Sequence, residues 1–197
     1  MSHSKEEKRK ALLQAASDVL LELGPNKTTL DDIARRAGMA KTSLYYYFKD
    51  KNEIIREIIR NDHEQLLEIM TNAVEAAKTA EEKMFALSQA RYRFISSRAL
   101  RANKEIINEF RSLAGVFETE REHYLQSHKE LIERIIREGI EKGEIKPFDD
   151  IELVSLIMVA SMFGCDQTFA FYDQSERILD GIKGMVRIFF AGLRVKQ

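Results

Sequence analysis

Apolar residues recur at helical spacing almost from the start of the chain. Leu12, Ala16, Val19, Leu20 and Leu23 share one helix face, and Gly24-Pro25 then supplies a left-handed-capable residue followed by a breaker. Later helix starts share one signature, a short oxygen-bearing residue followed three positions on by an acid, which can satisfy the first open backbone N–H groups. It occurs at Thr29/Asp32, Asp50/Glu53, Thr79/Glu82, Thr119/Glu122, Asp149/Glu152 and Asp173/Glu176, each before an apolar run of period 3.6. With the first helix, a helix over Lys41 to Phe48 and a segment from Asn103 to Ala114, nine helices follow. Only 9 glycines and 2 prolines interrupt them, so the fold class predicted is all-α. Candidate breaks lie at Ser96 to Asn103 and at Gly143 to Phe148.

The stretch IARRAGMAKTSLYYYF, Ile33 to Phe48, sets three tyrosines side by side, whereas a core-facing helix spaces its aromatics three or four apart. Leu30, Ile33, Ala34 and Ala37 share one face of a short helix, Gly38 turns the chain, and Leu44 and Phe48 point inward from a second short helix, with Met39 against the first. Two brief helices about a glycine turn make a helix-turn-helix. With Leu44 and Phe48 inside, Lys41, Thr42, Ser43, Tyr45 and Tyr46 point out, and Tyr47 lies half buried. Each outward tyrosine offers a phenolic O–H to a phosphate oxygen and a ring edge to a sugar or thymine methyl. Lys41 can reach a guanine edge or a phosphate, Lys51 is placed for a phosphate, and Thr28 and Thr29 lie at a helix N-terminus suited to anions. The plainer reading has the tyrosines covering a seam between helices; one tyrosine fits it, but the set fits a reading face better.

The eighth helix, Asp150 to about Tyr172, is apolar nearly all round, with Leu153, Val154, Leu156, Ile157, Val159, Ala160 and Phe163, and so needs cover on every side. The ninth, Ser175 to Leu193, carries two stripes: Ile178, Ile182, Met185 and Phe189, and Leu179, Val186, Phe190 and Leu193. One stripe can face its own core and the other a second subunit, giving a four-helix homodimer interface from helices eight and nine of two chains. Phe85, Tyr92, Phe94, Phe110, Phe117, Tyr124, Met158, Met162, Phe163 and Phe169 are adaptable apolar groups that line a cavity or fill a solid core. Arg91, Asp166 and Gln167 are the candidate polar anchors, and the last two need partners if buried.

Charge sharpens the picture modestly. The chain's net charge is -1, but Met1 to Lys51 holds ten Lys or Arg against seven Asp or Glu, so the first quarter is the basic end. The single cysteine, Cys165, has no internal disulfide partner, which fits a reducing cytoplasm. The N-terminus MSHSKEEKRK lacks the apolar stretch of a signal peptide, and the most apolar segment, Leu153 to Phe163, is well short of the roughly 18 residues of a membrane span, so no membrane association is expected. The four histidines show no i, i+3 or i, i+4 pairing, and no CxxC or HExxH is present, so no metal is expected. No glycine-rich phosphate loop or nucleophile elbow points to a cofactor or to an enzyme.

The segment TTLDDIARRAGMAKTSLYYYFKDKNEI resembles the DNA-binding signature of the TetR family of transcriptional regulators, agreeing at Thr28, Thr29, Ile33, Ala34, Ala37, Gly38, Leu44, Tyr45, Tyr47, Phe48 and Lys51. Three positions depart: Ala40 stands where a serine often caps the recognition helix, Thr42 replaces a frequent glycine and Pro25 a frequent aromatic. The resemblance implies a helix-turn-helix DNA-binding domain at residues 1–50 and an effector-binding and dimerisation domain at 51–197. It implies a homodimer on a palindromic double-stranded operator, released by a small apolar or amphipathic effector. By the same resemblance Lys41, Thr42, Ser43 and Tyr45 read base edges, and Tyr46, Tyr47, Lys51 and the Thr28/Thr29 region contact phosphates. The alternative is an all-α ligand-binding or protein-interaction module without DNA binding.

Overall fold

In a computed structural model of the chain, residues 5–99, 101, 104–113, 118–169 and 175–193 are described. Among them the fold is all-α, with nine helices: α1 Lys5–Leu23, α2 Leu30–Arg36, α3 Lys41–Leu44, α4 Lys51–Ala76, α5 Ala80–Ala99, α6 Lys104–Ser112, α7 Glu118–Glu141, α8 Ile151–Phe169 and α9 Ser175–Leu193. The chain divides into two compact units, residues 1–63 with 99–121, and residues 64–98 with 122–197.

The first unit forms around a small apolar cluster. Leu12, Leu13 and Ala16 of α1, Ile33 and Ala34 of α2, Leu44 of α3, Phe48 and Ile54 are buried together, with Met39 and Tyr47 packed on the outside. Thr29 opens α2 with a complete capping box: its hydroxyl accepts from the Asp32 N–H, and the Asp32 carboxylate accepts from the Thr29 N–H. At the other end Met39 N–H bonds Ala34 C=O at 3.0 Å and Gly38 N–H bonds Arg35 C=O at 3.2 Å. That is a Schellman pair, and Gly38, at φ +66°, supplies the left-handed residue it requires. The turn of the helix-turn-helix is thus written into Ala34, Gly38 and Met39. A second cluster joins Leu20 and Ile55 with Phe110 and Leu113. Beside it, Asn26 N–H donates to the Glu109 carboxylate at 2.9 Å, and Arg101 pairs with Asp18 at 2.5 Å.

The second unit buries Leu66, Met70 and Val74 of α4, Met84 and Leu87 of α5, Leu131, Ile132, Ile135 and Ile136 of α7, Val159 of α8, and Val186 and Phe190 of α9 in one core. Thr79 and Glu82 cap α5 reciprocally, as the pattern predicts. Asp50 likewise accepts from Glu53 N–H at the head of α4.

Several boundaries differ from the sequence reading. The regular helix from Lys41 ends at Leu44 rather than Phe48, because Tyr46 and Tyr47 N–H shift to carbonyls three residues back while Phe48 N–H returns to Leu44 C=O. At α8 the capping side chain is Asp150, not Asp149: its carboxylate accepts from Leu153 N–H at 3.0 Å, and it holds φ at +52°. α7 already contains Thr119, so it begins before the Thr119/Glu122 pair. Asp173, proposed to cap α9, and Tyr172 lie outside the described residues. Nor is α8 covered on every side within one chain, since Leu153, Leu156 and Ile157 are exposed.

Candidate nucleic-acid interface

Leu44 and Phe48 are 0% and 1% exposed, and they decide where everything else on α3 points. Lys41, Thr42, Ser43, Tyr45 and Tyr46 all lie at the surface, Tyr45 at 52% and Tyr46 at 69% exposure, while Tyr47 is half-buried. Tyr46 and Tyr47 meet edge to face with ring centres 5.2 Å apart, which stiffens the pair. The Lys5 ammonium sits 4.9 Å from the Tyr46 ring centre. A run of ammonium, hydroxyl and phenol groups over an apolar underside is chemistry suited to the edges and backbone of a nucleic-acid groove.

The cations around this face are more committed than the sequence suggests. Lys41 donates to Asp31 at 2.7 Å, and that hydrogen bond, with the charge behind it, raises the lysine above its ordinary pKa. Lys51 donates to two backbone carbonyls, Pro25 at 2.6 Å and Thr28 at 3.0 Å, so it fastens the loop after α1 instead of projecting freely. Arg9 pairs with Glu57 at 2.5 Å while its guanidinium lies 4.9 Å from the Phe48 ring centre. Thr28 is buried, its hydroxyl donating to Gly24 C=O at 2.7 Å, so as folded that hydroxyl cannot meet a phosphate. The Thr29 hydroxyl and N–H both go to Asp32. Ala40 makes no side-chain cap at the head of α3, as its methyl dictates.

Three participants escape the sequence reading. Asp31 lies ten positions before Lys41, across a turn, and no helical or strand period links them. Glu57, partner to Arg9, is equally remote in sequence. Lys5 sits in a basic run with Lys8, Arg9 and Lys10, where no spacing singles it out.

The effector candidates scatter. In the second unit an open cavity of about 390 Å³ is lined by Tyr92, Met162 and the candidate anchor Arg91 among the predicted residues, and by Ser88, Cys165, Arg177 and α9 side chains. Tyr124 and Phe163 meet edge to face at 5.8 Å near Arg91, and Met158 packs on the core of that unit. Phe85 lies 5.6 Å from the Lys183 ammonium beside a separate groove. Phe110 packs in the first unit and does not line the cavity. Phe117 and the side chains of Asp166, Gln167 and Phe169 lie outside the described residues. Among the described residues no cluster of three His, Cys, Asp or Glu could hold a metal ion. No helix among them is long and apolar enough to cross a membrane.

A buried Leu44–Phe48 underside, a Schellman turn and an outward hydroxyl-rich helix define a helix-turn-helix protein of the kind that reads DNA. Residues 12–58 match the family described as bacterial regulatory proteins, tetR family. Over 187 residues the chain is 23% identical to the fatty acid metabolism regulator protein of Bacillus subtilis strain 168, covering 94% of this chain and 95% of that one. It is 27% identical over 152 residues to the transcriptional repressor KstR2 of Mycolicibacterium smegmatis, covering 75% and 72%. A crystal structure of the regulator FadR from Bacillus subtilis in complex with stearoyl-CoA superposes with a TM-score of 0.70 over 90% of this chain and 96% of that one, at 20% identity. Residues 12–58 thus carry the DNA-binding domain of the TetR family, and along most of its length the chain is similar to transcriptional regulators.

Proposed function

We propose that this protein is a ligand-responsive repressor that binds a palindromic operator as a homodimer and leaves it when a small apolar or amphipathic molecule occupies its C-terminal part. The single observation that carries the DNA reading is the outward face of α3 over buried Leu44 and Phe48. Residues 1–50 read DNA, with Lys41, Thr42, Ser43 and Tyr45 at base edges and Tyr46 and Tyr47 toward phosphates, while Lys51 supports the site by holding the loop at Pro25 and Thr28; residues 51–197 bind effector and dimerise. Thr29 contributes from the α2 terminus, while Thr28 acts from beneath by holding the loop.

Dimerisation is supported by the exposed aliphatic side chains Leu153, Leu156 and Ile157 of α8 and Met185 and Ile188 of α9, since apolar groups without a polar handle are disfavoured in water. A two-fold operator needs two recognition helices, and a dimer supplies them. Repression and a lipid-like effector are supported by the named repressor KstR2 and by the stearoyl-CoA held by the FadR neighbour. The protein acts by binding and not by catalysis, in the cytoplasm.

The test is an electrophoretic mobility shift with the DNA upstream of its own gene. A specific shift is expected, falling steeply as salt rises because cation–phosphate contacts release counterions. Failure to shift that DNA or any randomised-library duplex favours the module without DNA binding.

A further inference from the structure

The cavity of the second unit suggests what part of a ligand it holds. Met162 of α8 and Ile178, Ile182 and Met185 of α9 give it apolar walls, while Arg91 of α5 and Arg177 of α9 supply two guanidinium groups. Arg91 is 2% exposed and is held in place from two sides. Its guanidinium lies 4.3 Å from the Phe163 ring centre, and one of its terminal nitrogens is 3.1 Å from His128 Nε2.

The His128 ring fixes the direction of that bond. Its Nδ1 lies 2.7 Å from Tyr124 C=O, and a carbonyl only accepts, so Nδ1 carries the proton. Nε2 is then the acceptor, and Arg91 donates to it. The Tyr124 ring stacks on the imidazole with centres 5.0 Å apart, completing a chain of packed groups that aims the guanidinium.

We propose that this cavity binds a single-chain amphiphile with an anionic head, the head at Arg91 and Arg177 and the chain along Met162, Ile178, Ile182 and Met185. The proposal rests on the ligand-responsive reading above and names the head-group charge that reading leaves open. A guanidinium at an apolar wall favours an anion over a neutral head because their attraction acts at low effective dielectric. Its planar fork also fits two oxygens of a carboxylate or phosphate at once. Arg177, at the exposed rim, adds a second positive group on the way in.

Isothermal titration of the full chain with laurate, lauroyl-CoA and dodecanol tests this. An anionic ligand is expected to bind at least about tenfold tighter than dodecanol, and Arg91→Met and Arg177→Gln are each expected to remove most of that preference. Tight laurate binding assigns the anion to a free carboxylate; binding of lauroyl-CoA alone, lost in the arginine variants, assigns it to the phosphates of the carrier. The ligand-free mobility shift of each variant reports folding, and Arg177→Gln, at the surface, serves if Arg91→Met does not fold. Dodecanol binding as tightly as both anions, or laurate affinity unmoved in Arg177→Gln and in a folded Arg91→Met, overturns the anionic head and leaves the apolar-effector reading standing. If none of the three binds while the DNA shift persists, the cavity's role as the effector site falls as well.

Discussion

Two regions of this molecule expose large apolar side chains, and they do so differently. On α3 and the turn after it the exposed groups are Tyr45 and Tyr46, each ending in a hydroxyl and set among Lys41, Thr42 and Ser43. On α8 and α9 they are Leu153, Leu156, Ile157, Met185 and Ile188, which carry no hydrogen-bonding tip. An amphipathic ring tolerates water on one side and a polar partner on the other, whereas an aliphatic group gains only by losing water. The contrast supports the proposal that the first region meets a charged, hydrated partner such as DNA and the second a copy of the protein itself.

The largest effect that can sharpen this contrast lies beneath the tyrosines. Leu44→Ala removes a fully buried anchor and is expected to destabilise the first unit by about 2–5 kcal/mol, read by chemical denaturation, with DNA binding lost in proportion. Ile157→Glu in the second region is expected to weaken dimerisation by about 2–3 kcal/mol, read by sedimentation equilibrium, while the folded chain keeps its helicity because Ile157 is exposed in a single chain. Tyr45→Ala is expected to reduce operator affinity by about 1–3 kcal/mol with stability changed by no more than about 0.5 kcal/mol and the dimer intact. A Tyr45→Ala protein that binds DNA as wild type removes that face from the interface.

Smaller effects test the ion pairs that frame the reading face. The Arg9 hydrogen bond holds the Glu57 carboxyl below its usual range, against the opposing pull of burial. Because the folded value lies below the unfolded one, the stabilisation is fully present above the ordinary glutamate range and is lost as pH falls through the folded value. Thermal melts from pH 7 to pH 3 are therefore expected to show a steeper acid loss for wild type than for Glu57→Gln. The smallest effect is Asp31→Asn, which releases Lys41 and removes an acid from the reading face. An exposed, salt-screened pair contributes little to stability, so the fold is expected to be unchanged while operator affinity rises a few-fold, most visibly at low salt.

Much of the first unit was legible in the sequence because its determinants are local. The four-residue spacing of Leu44 and Phe48, the Thr29/Asp32 box and the glycine turn each act within a few residues, and the structure has all three. The same locality revealed the Thr79/Glu82 cap. What was not legible depends on distant chain or on a single register choice. Asp149 and Asp150 are adjacent acids at the head of α8, and only the Leu153 N–H bond to the Asp150 carboxylate decides between them. Lys51 reads as a free cation until the loop at Pro25 folds over it, and Thr28 as a surface hydroxyl until Gly24 C=O captures it. The cavity recruits Arg177, Ile178 and Ile182 from a helix whose stripes gave no sign of which would border open space.

Photo-crosslinking from the two exposed regions tests the central assignment most directly. Full-length protein carrying a benzoylphenylalanine at position 45 or at position 157 would be irradiated with the duplex from upstream of its own gene. The account predicts adducts to DNA from position 45 and adducts to a second protein chain from position 157. DNA adducts from position 157 with none from position 45 would contradict it.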